Sequence, residues 1–310
     1  MSGAARGRLH LRLPATSANL GPGFDTAAVA LDFHLDVEAA PAPEFSIEAT
    51  GRDADRCGQM EDNLVLSVYR RVLANNGCAE VPLAIRMHNE IPLGMGCGSS
   101  AAGRLAAIAM AVHFGRLDWS GERILAEAAA FEGHPDNVAA CWLGGFVAAA
   151  EANGTIQVAR VVPPPGWRAI IVLPSEPLPT SEARAVLPQS YTRADVVRNL
   201  QAVGLLGLAF AQGRGDLLRA AMADRIHQPY RAAICPLLSP LLPLAGTAGI
   251  LGVALSGAGP AVLVIVDGER NIASARDRIV SAVGESHAPE LLISSFASDG
   301  AACSSHAAGS

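Results

Sequence analysis

Lysine is missing from this chain of 310 residues: its 23 basic side chains are all arginine, set against 29 acids for a formal charge of −6. That absence excludes several chemistries. A Walker-A phosphate loop needs its Gly-Lys-Ser/Thr, a protein kinase needs a strand-borne lysine, and a pyridoxal-phosphate enzyme needs a Schiff-base lysine. Arginine replaces lysine as a charge but not as a titrating amine. Aromatic residues make up only 5%, which with the mild acidity argues against nucleic-acid binding through base stacking or a basic face. Met1 to His10 has no apolar signal core. The six cysteines have no Cys-x-x-Cys spacing and read as reduced thiols of a cytoplasmic protein. Leu237 to Val266 carries no charge, yet Pro240, Pro243, Gly246, Gly249, Gly257, Gly259 and Pro260 break it. It reads as two buried elements rather than a membrane span.

Half the residues are apolar and 17% are charged, enough for one large or two intimate domains. Strands are expected at Leu9 to Leu13, Val29 to Ala39, Phe45 to Thr50 and Pro82 to Met87. Helices are expected from Asp62, as cap, to Asn76, from Ser99 to about Phe114, and from Ser120 to about Phe131. Strands return at Gly145 to Ala150, Thr155 to Val161 and Arg168 to Leu173. A long helix, Thr192 to Gln212, is expected to set Val196, Leu200, Val203 and Phe210 near one face. Further helices at Asp216 to Arg225 and Pro236 to Leu244 precede strands at Leu251 to Leu255 and Ala261 to Val266. A helix over Ile272 to Val283 and a strand over Glu290 to Phe296 close the order. Clustered rather than alternating elements favour α+β. The Pro163-Pro164-Pro165-Gly166 stretch marks the best boundary, giving 1–165, 166–296 and an expected disordered tail, 297–310.

Four polar or glycine-rich segments stand out. Pro92-Leu93-Gly94-Met95-Gly96-Cys97-Gly98-Ser99-Ser100-Ala101-Ala102 joins a strand to an Ala-rich helix. Its glycines allow close backbone approach, the helix start offers unpaired N–H groups, and Ser99 and Ser100 can cap the helix or donate to phosphate. The spacing fails the dinucleotide fingerprint, because Ser99 stands where glycine is needed. Leu255-Ser256-Gly257-Ala258-Gly259-Pro260 lies between two apolar strands. Glu132-Gly133-His134-Pro135-Asp136-Asn137 gathers two carboxylates, an imidazole and an amide; as a turn alone it needs only Pro135 as helix stop. The loop from Ala15 to Asp25 is equally polar.

Together, in this order, these segments resemble the GHMP small-molecule kinases, most of all the homoserine kinases among them. Pro92 to Ala101 fits the family phosphate pattern P-x-G-x-G-x-G-S-S-A. The run Pro14 to Asp25, P-A-T-S-A-N-L-G-P-G-F-D, is the most subfamily-specific piece. The resemblance implies a two-part α+β fold, with an N-terminal ribosomal-protein-S5-like part and a C-terminal ferredoxin-like part. It implies transfer of the ATP γ-phosphate to the side-chain hydroxyl of L-homoserine, in threonine biosynthesis. Threonine, mevalonate or another small alcohol is the alternative acceptor, and a non-catalytic nucleotide-binding paralogue the alternative class. ATP and Mg²⁺ are the implied cofactors. Partners are the substrates and room for a homodimer, with no nucleic acid and no membrane.

By the same resemblance, Pro92 to Ala102 with Gly257 and Gly259 would hold ATP. Ser100 and Glu132 would hold Mg²⁺, with Glu127 as the alternative acid. Asn19, Asp25, Thr180, Arg184 and Arg231 would bind the amino acid, the arginines clamping its carboxylate and Asp25 pairing its ammonium. His134 and Asn137 would orient the hydroxyl; Asp136 could serve as base or as a backbone cap. The chain departs from the pattern at Cys97, at Arg104, where small residues are commoner, and at Ala261. It also carries His88, Asn89 and Glu90 where members often place a lysine. With no lysine, any cation touching substrate must be arginine or protonated histidine, which directs attention to Arg184, Arg231 and His88.

Overall fold

A computed structural model describes residues 7–284 and 289–305. The first half runs β1 (Leu9–Asn19), β2 (Gly23–Pro41), β3 (Ser46–Gly51), α1 (Ala54–Cys57), α2 (Leu64–Asn75), β4 (Leu83–Asn89), α3 (Ser99–Gly115) and α4 (Gly121–Glu132). It ends with α5 (Asp136–Leu143), β5 (Phe146–Ala152) and β6 (Thr155–Val161). The second half runs β7 (Trp167–Leu173), α6 (Thr180–Ala185), α7 (Arg193–Gln212), α8 (Leu218–Ala221), α9 (Gln228–Arg231) and α10 (Leu238–Leu241). Then come β8 (Ile250–Leu255), β9 (Val262–Asp267), α11 (Ile272–Val283), β10 (Glu290–Ser294) and β11 (Ala302–Ser305).

Two sheets carry these elements. The first is seven-stranded, ordered β11-β1-β2-β4-β3, with β5 also on β2 and β6 on β5. Only β3 and β4 pair in parallel. The second has the order β10-β7-β9-β8, all antiparallel. Its strand–helix–strand–strand–helix–strand sequence is the ferredoxin-like arrangement. Strand β4 shows the alternation a half-buried strand needs: Leu83, Ile85, Met87 and Asn89 face inward, Ala84, Arg86 and His88 outward. Helix α3 is buried nearly all round, and its alanines let α2, α4 and β1 pack close.

Several expectations need correcting. The polar run from Ala15 to Asp25 is not a loop; β1 continues through it to Asn19 and β2 starts at Gly23. Only Leu20 to Pro22 turns, with Asn19 and Leu20 also at positive φ. Asn63, not Asp62, caps α2 by accepting from the Val65 and Leu66 amides. Helix α5 follows directly on Pro135, a helix absent from the expected elements. Helix α7 buries Ala202, Leu206, Ala209 and Phe210, and leaves Val196 and Leu200 exposed. By length and composition α7 would suffice to cross a membrane, and 28% of its apolar window is buried. Leu237 to Val266 divides into α10, β8 and β9 with turns between.

The expected disordered tail is ordered through Ser305. Its β11 adds to β1, with Leu9 opposite Ser305 and Arg12 opposite Ala302. Before that, the Ala297 N–H donates to the Ala30 carbonyl and the Ala301 N–H to the Cys141 carbonyl. Residues 306–310 lie outside the described residues.

Candidate active site

The polar segments converge because their backbones bond to one another. The Thr16 N–H donates to the Cys97 carbonyl at 3.1 Å, the Gly257 N–H to the Ala18 carbonyl at 3.0 Å, and the Ala261 N–H to the Met95 carbonyl at 3.3 Å. The Ser256 hydroxyl spans two segments, 2.7 Å from the Gly96 carbonyl and 2.9 Å from the Ser17 hydroxyl. The end of β1, the loop before α3 and the β8–β9 loop therefore form one unit drawn from both sheets.

The loop glycines are fixed by this packing. All three have positive φ. A Cβ on Gly98 would lie 1.9 Å from the Thr16 hydroxyl, and one on Gly96 would lie 2.2 Å from the Ser256 carbonyl oxygen. Gly94 would meet only the Pro177 side chain, at 3.1 Å. Two of the three glycines thus admit other parts of the protein rather than a ligand. Gly98 is itself the N-cap of α3, and no side chain caps that helix, Ser99 and Ser100 included. The first-turn amides of α3 are left for an anion, which the helix dipole also favours.

A cavity of about 170 Å³ opens on this helix start. Gly94, Gly96, Gly98, Ser99, Ser100, Gly257 and Gly259 line one side of it. Glu132, His134, Asp136 and Asn137 line another; Asn19, Asp25, Thr180, Arg184 and Arg231 line the rest. Pro92 and Met95 instead face a separate cavity with Arg52 and Arg56, and Leu93 lies between that cavity and another that reaches Ser99 and Ser100. Cys97, Ala101 and Ala102 are core residues. Burial pushes the Cys97 thiol up to about 12, so its sulfur stays protonated.

Arg231 is wholly buried, and its bonds go to uncharged partners. Nε donates to the Ala183 carbonyl at 3.0 Å, while one terminal nitrogen contacts His227 Nδ1 at 3.1 Å and the Gly257 carbonyl at 3.3 Å. Among the described residues no carboxylate forms an ion pair with it. Burial, and then the nearby Arg184 charge, lower its pKa. Arg184 and Arg231 both lie over the Phe24 ring, at 5.5 and 5.4 Å. Asn19 uses its amide inside the protein: Nδ2 donates to the Gly257 carbonyl and Oδ1 accepts from the Asp25 N–H. That bond sets the left-handed backbone of Asp25, where φ is 52°.

His134 Nδ1 lies 2.6 Å from Asp136 Oδ1, which also accepts the Asn137 N–H at 2.7 Å. Burial disfavours the imidazolium, but the Asp136 hydrogen bond and the charges of Asp136, Asp25 and Glu132 outweigh it, and the His134 pKa rises. Asn137 lines the cavity too, and its Oδ1 accepts the Thr16 hydroxyl at 2.6 Å. Asp136 therefore both caps its own backbone and orients His134.

Ser100 Oγ and Glu132 Oε2 stand 3.3 Å apart. A hydroxyl and a carboxylate are the oxygen donors a hard divalent cation takes. An Arg104 terminal nitrogen donates to both. Glu127 lines neither of the two cavities that border the helix start and faces Arg123 instead.

The family model described as "GHMP kinases N terminal domain" matches residues 63–145, and "GHMP kinases C terminal" matches 208–286. A homoserine kinase of Solibacter usitatus is 43% identical over 93% of this chain and 95% of its own length. The chain belongs to the GHMP kinase family. A homoserine kinase of Moorella thermoacetica is 39% identical over 84% of this chain and 88% of its own. The crystal structure of homoserine kinase from Cytophaga hutchinsonii has the same fold, with a TM-score of 0.78 at 24% identity, covering 98% and 99% of the two chains.

Within this GHMP kinase, sequence reasoning missed two parts of the site. One is a cavity of about 350 Å³ that shares Gly94, Ser99 and Ser100 with the first and continues along Leu64, Val65, Met87 and Ile91. Its walls come from the alternation of β4 and the start of α2, which carry no motif. The other is Arg104, visible in the sequence only as a large cation in a small-residue helix. His88 faces outward and bonds Thr50, away from both cavities.

Proposed function

We propose that this protein transfers the γ-phosphoryl group of ATP to the side-chain hydroxyl of L-homoserine, giving O-phospho-L-homoserine for threonine biosynthesis in the cytoplasm. The observation that carries the reading is Arg231, a buried guanidinium with no carboxylate ion pair among the described residues, facing the same small cavity as the Asp25 carboxylate and the start of α3. A substrate with a carboxylate, an ammonium and a hydroxyl two carbons away meets all three. The arginine fork takes the carboxylate, Asp25 takes the ammonium, and the hydroxyl reaches toward the phosphates.

The uncapped α3 terminus and the loop amides would receive the ATP phosphates, and the neighbouring apolar cavity the adenine. Ser100 and Glu132 would hold Mg²⁺, which supplies charge neutralisation on the phosphates. Phosphoryl transfer asks mainly for such positioning and charge compensation, because little deprotonation of the attacking hydroxyl is needed early. His134, held by Asp136, and Asn137 orient the hydroxyl. His134 and Asp136, which line the same cavity, are the candidates to take its proton as the bond to phosphorus forms. A homodimer is part of the proposal, and light scattering on the purified protein reads it.

The test is coupled ADP release with ATP against homoserine, threonine and mevalonate. Turnover of homoserine far above the others supports the reading. Turnover of mevalonate without homoserine overturns the acceptor. Nucleotide binding with no transfer to any alcohol overturns the enzyme class.

A further inference from the structure

Arg104 bonds Ser100 in the first turn of the phosphate-binding helix, and nothing in the proposed reaction uses it. It sits one turn after Ser100 on α3, among the buried Ala101, Ala102, Gly103 and Leu105. Helical side chains lean toward the N-terminus, so the guanidinium folds back over the loop. There it donates to Ser100 Oγ and Glu132 Oε2 through one nitrogen. Its Nε is buried and has no hydrogen-bond partner among the described residues. A buried donor left unpaired is costly, so this resting position is an incomplete one.

The guanidinium also occupies the place between the two oxygen donors that suit Mg²⁺. Both cations cannot hold Ser100 and Glu132 together. An arginine fork, unlike a metal, has a second destination in this site, since phosphate oxygens match its donors in pairs.

We propose that Arg104 is a mobile internal counter-ion of the phosphate site. Without nucleotide it neutralises Glu132 and blocks the metal position. With ATP present it moves to the phosphate oxygens, where Nε gains an acceptor, and Ser100 and Glu132 become free for the metal. The proposal rests on the ATP and Mg²⁺ reading above. It makes metal entry conditional on nucleotide, and it supplies the phosphate cation that a chain without lysine must take from elsewhere.

Two binding measurements test it on the full chain, neither requiring turnover. Mn²⁺ is titrated into nucleotide-free protein by electron paramagnetic resonance. The non-hydrolysable imido analogue of ATP is titrated by calorimetry in excess chelator. Arg104→Met is expected to bind Mn²⁺ about tenfold tighter and the metal-free analogue about tenfold weaker, with Arg104→Lys regaining part of the analogue affinity. Either quantity unchanged in folded Arg104→Met overturns the proposal and leaves Arg104 a packing residue. Should that variant fail to fold, Glu132→Gln reads the same device from the other side. Freed of its acid, Arg104 should bind the metal-free analogue more tightly, and an unchanged or weaker affinity overturns the proposal. Wild-type protein that fails to bind the analogue even with Mg²⁺ would instead sink the nucleotide reading itself.

Discussion

Asp25 and Arg184 meet in a two-pronged pair, with oxygen–nitrogen distances of 2.7 and 3.1 Å. The pair ties the turn-side start of β2 to α6 across the cavity. It also raises the Arg184 pKa, chiefly through the Asp25 hydrogen bond. Asp25 thus presents its carboxylate to the cavity already oriented, while Arg184 is held at the cavity wall rather than free in solvent.

Asp25→Asn keeps the shape and removes the charge. A charge-assisted hydrogen bond is worth about 1.5–3 kcal/mol, so KM for homoserine should rise at least about tenfold. KM for ATP should barely change. Steady-state kinetics with each substrate varied in turn decides it, and an ATP effect equal to the homoserine effect would remove Asp25 from the amino-acid side.

Arg231→Lys retains the charge but not the fork that now contacts Ala183, His227 and Gly257. KM for homoserine should rise about tenfold. 3-Aminopropan-1-ol, which lacks the carboxylate, should be used equally by both proteins. An unchanged KM for homoserine means that Arg231 does not clamp the carboxylate.

Gly98→Ala forces a Cβ against the Thr16 hydroxyl at a left-handed backbone position. It should cost about 1–3 kcal/mol in stability and abolish most activity. Gly94→Ala faces only a proline side chain, so it should unfold at a clearly higher temperature than Gly98→Ala. Calorimetric melting of the two variants side by side gives the comparison.

The raised His134 pKa predicts a pH dependence with a definite sign. A histidine whose folded pKa lies above its ordinary 6.5 gives stability that is fully present below that value. This stability is lost as pH rises through the folded pKa. His134→Gln should therefore lower the melting temperature more near pH 6 than near pH 9. An equal loss at both pH values would mean that His134 contributes only packing.

Much of this was legible in the sequence, for reasons that differ by element. Strand β6 and helix α11 were placed residue by residue, because their periodicity and the turn residues beside them agree. The phosphate loop was legible through its glycines, although the structure explains Gly96 and Gly98 by Ser256 and Thr16 rather than by ligand. The stretch from Ala15 to Asn19 hid a strand behind polar side chains, whose hydroxyls and amide bond to distant loops that no local pattern reveals. The face of α7 was misjudged because its apolar residues outnumber those it buries. Its small residues Ala202 and Ala209 seat the helix, while larger Leu200 stays outside. The second cavity could not be read at all, since alternating strand residues look alike whether they face a core or a void.

The pairing of β1 with β11 sets an order in time. Strand β1 is made long before Ala302–Ser305, the strand that pairs along its outer edge. The loop before α3 likewise waits for Ser256 to hold Gly96. The first half of a growing chain therefore carries an unpaired strand edge and a loose phosphate loop through most of synthesis, the kind of exposed edge that aggregates. A chain cut before the β8–β9 loop lacks Ser256 and Gly257, and is expected to leave the loop before α3 and the end of β1 without these anchors.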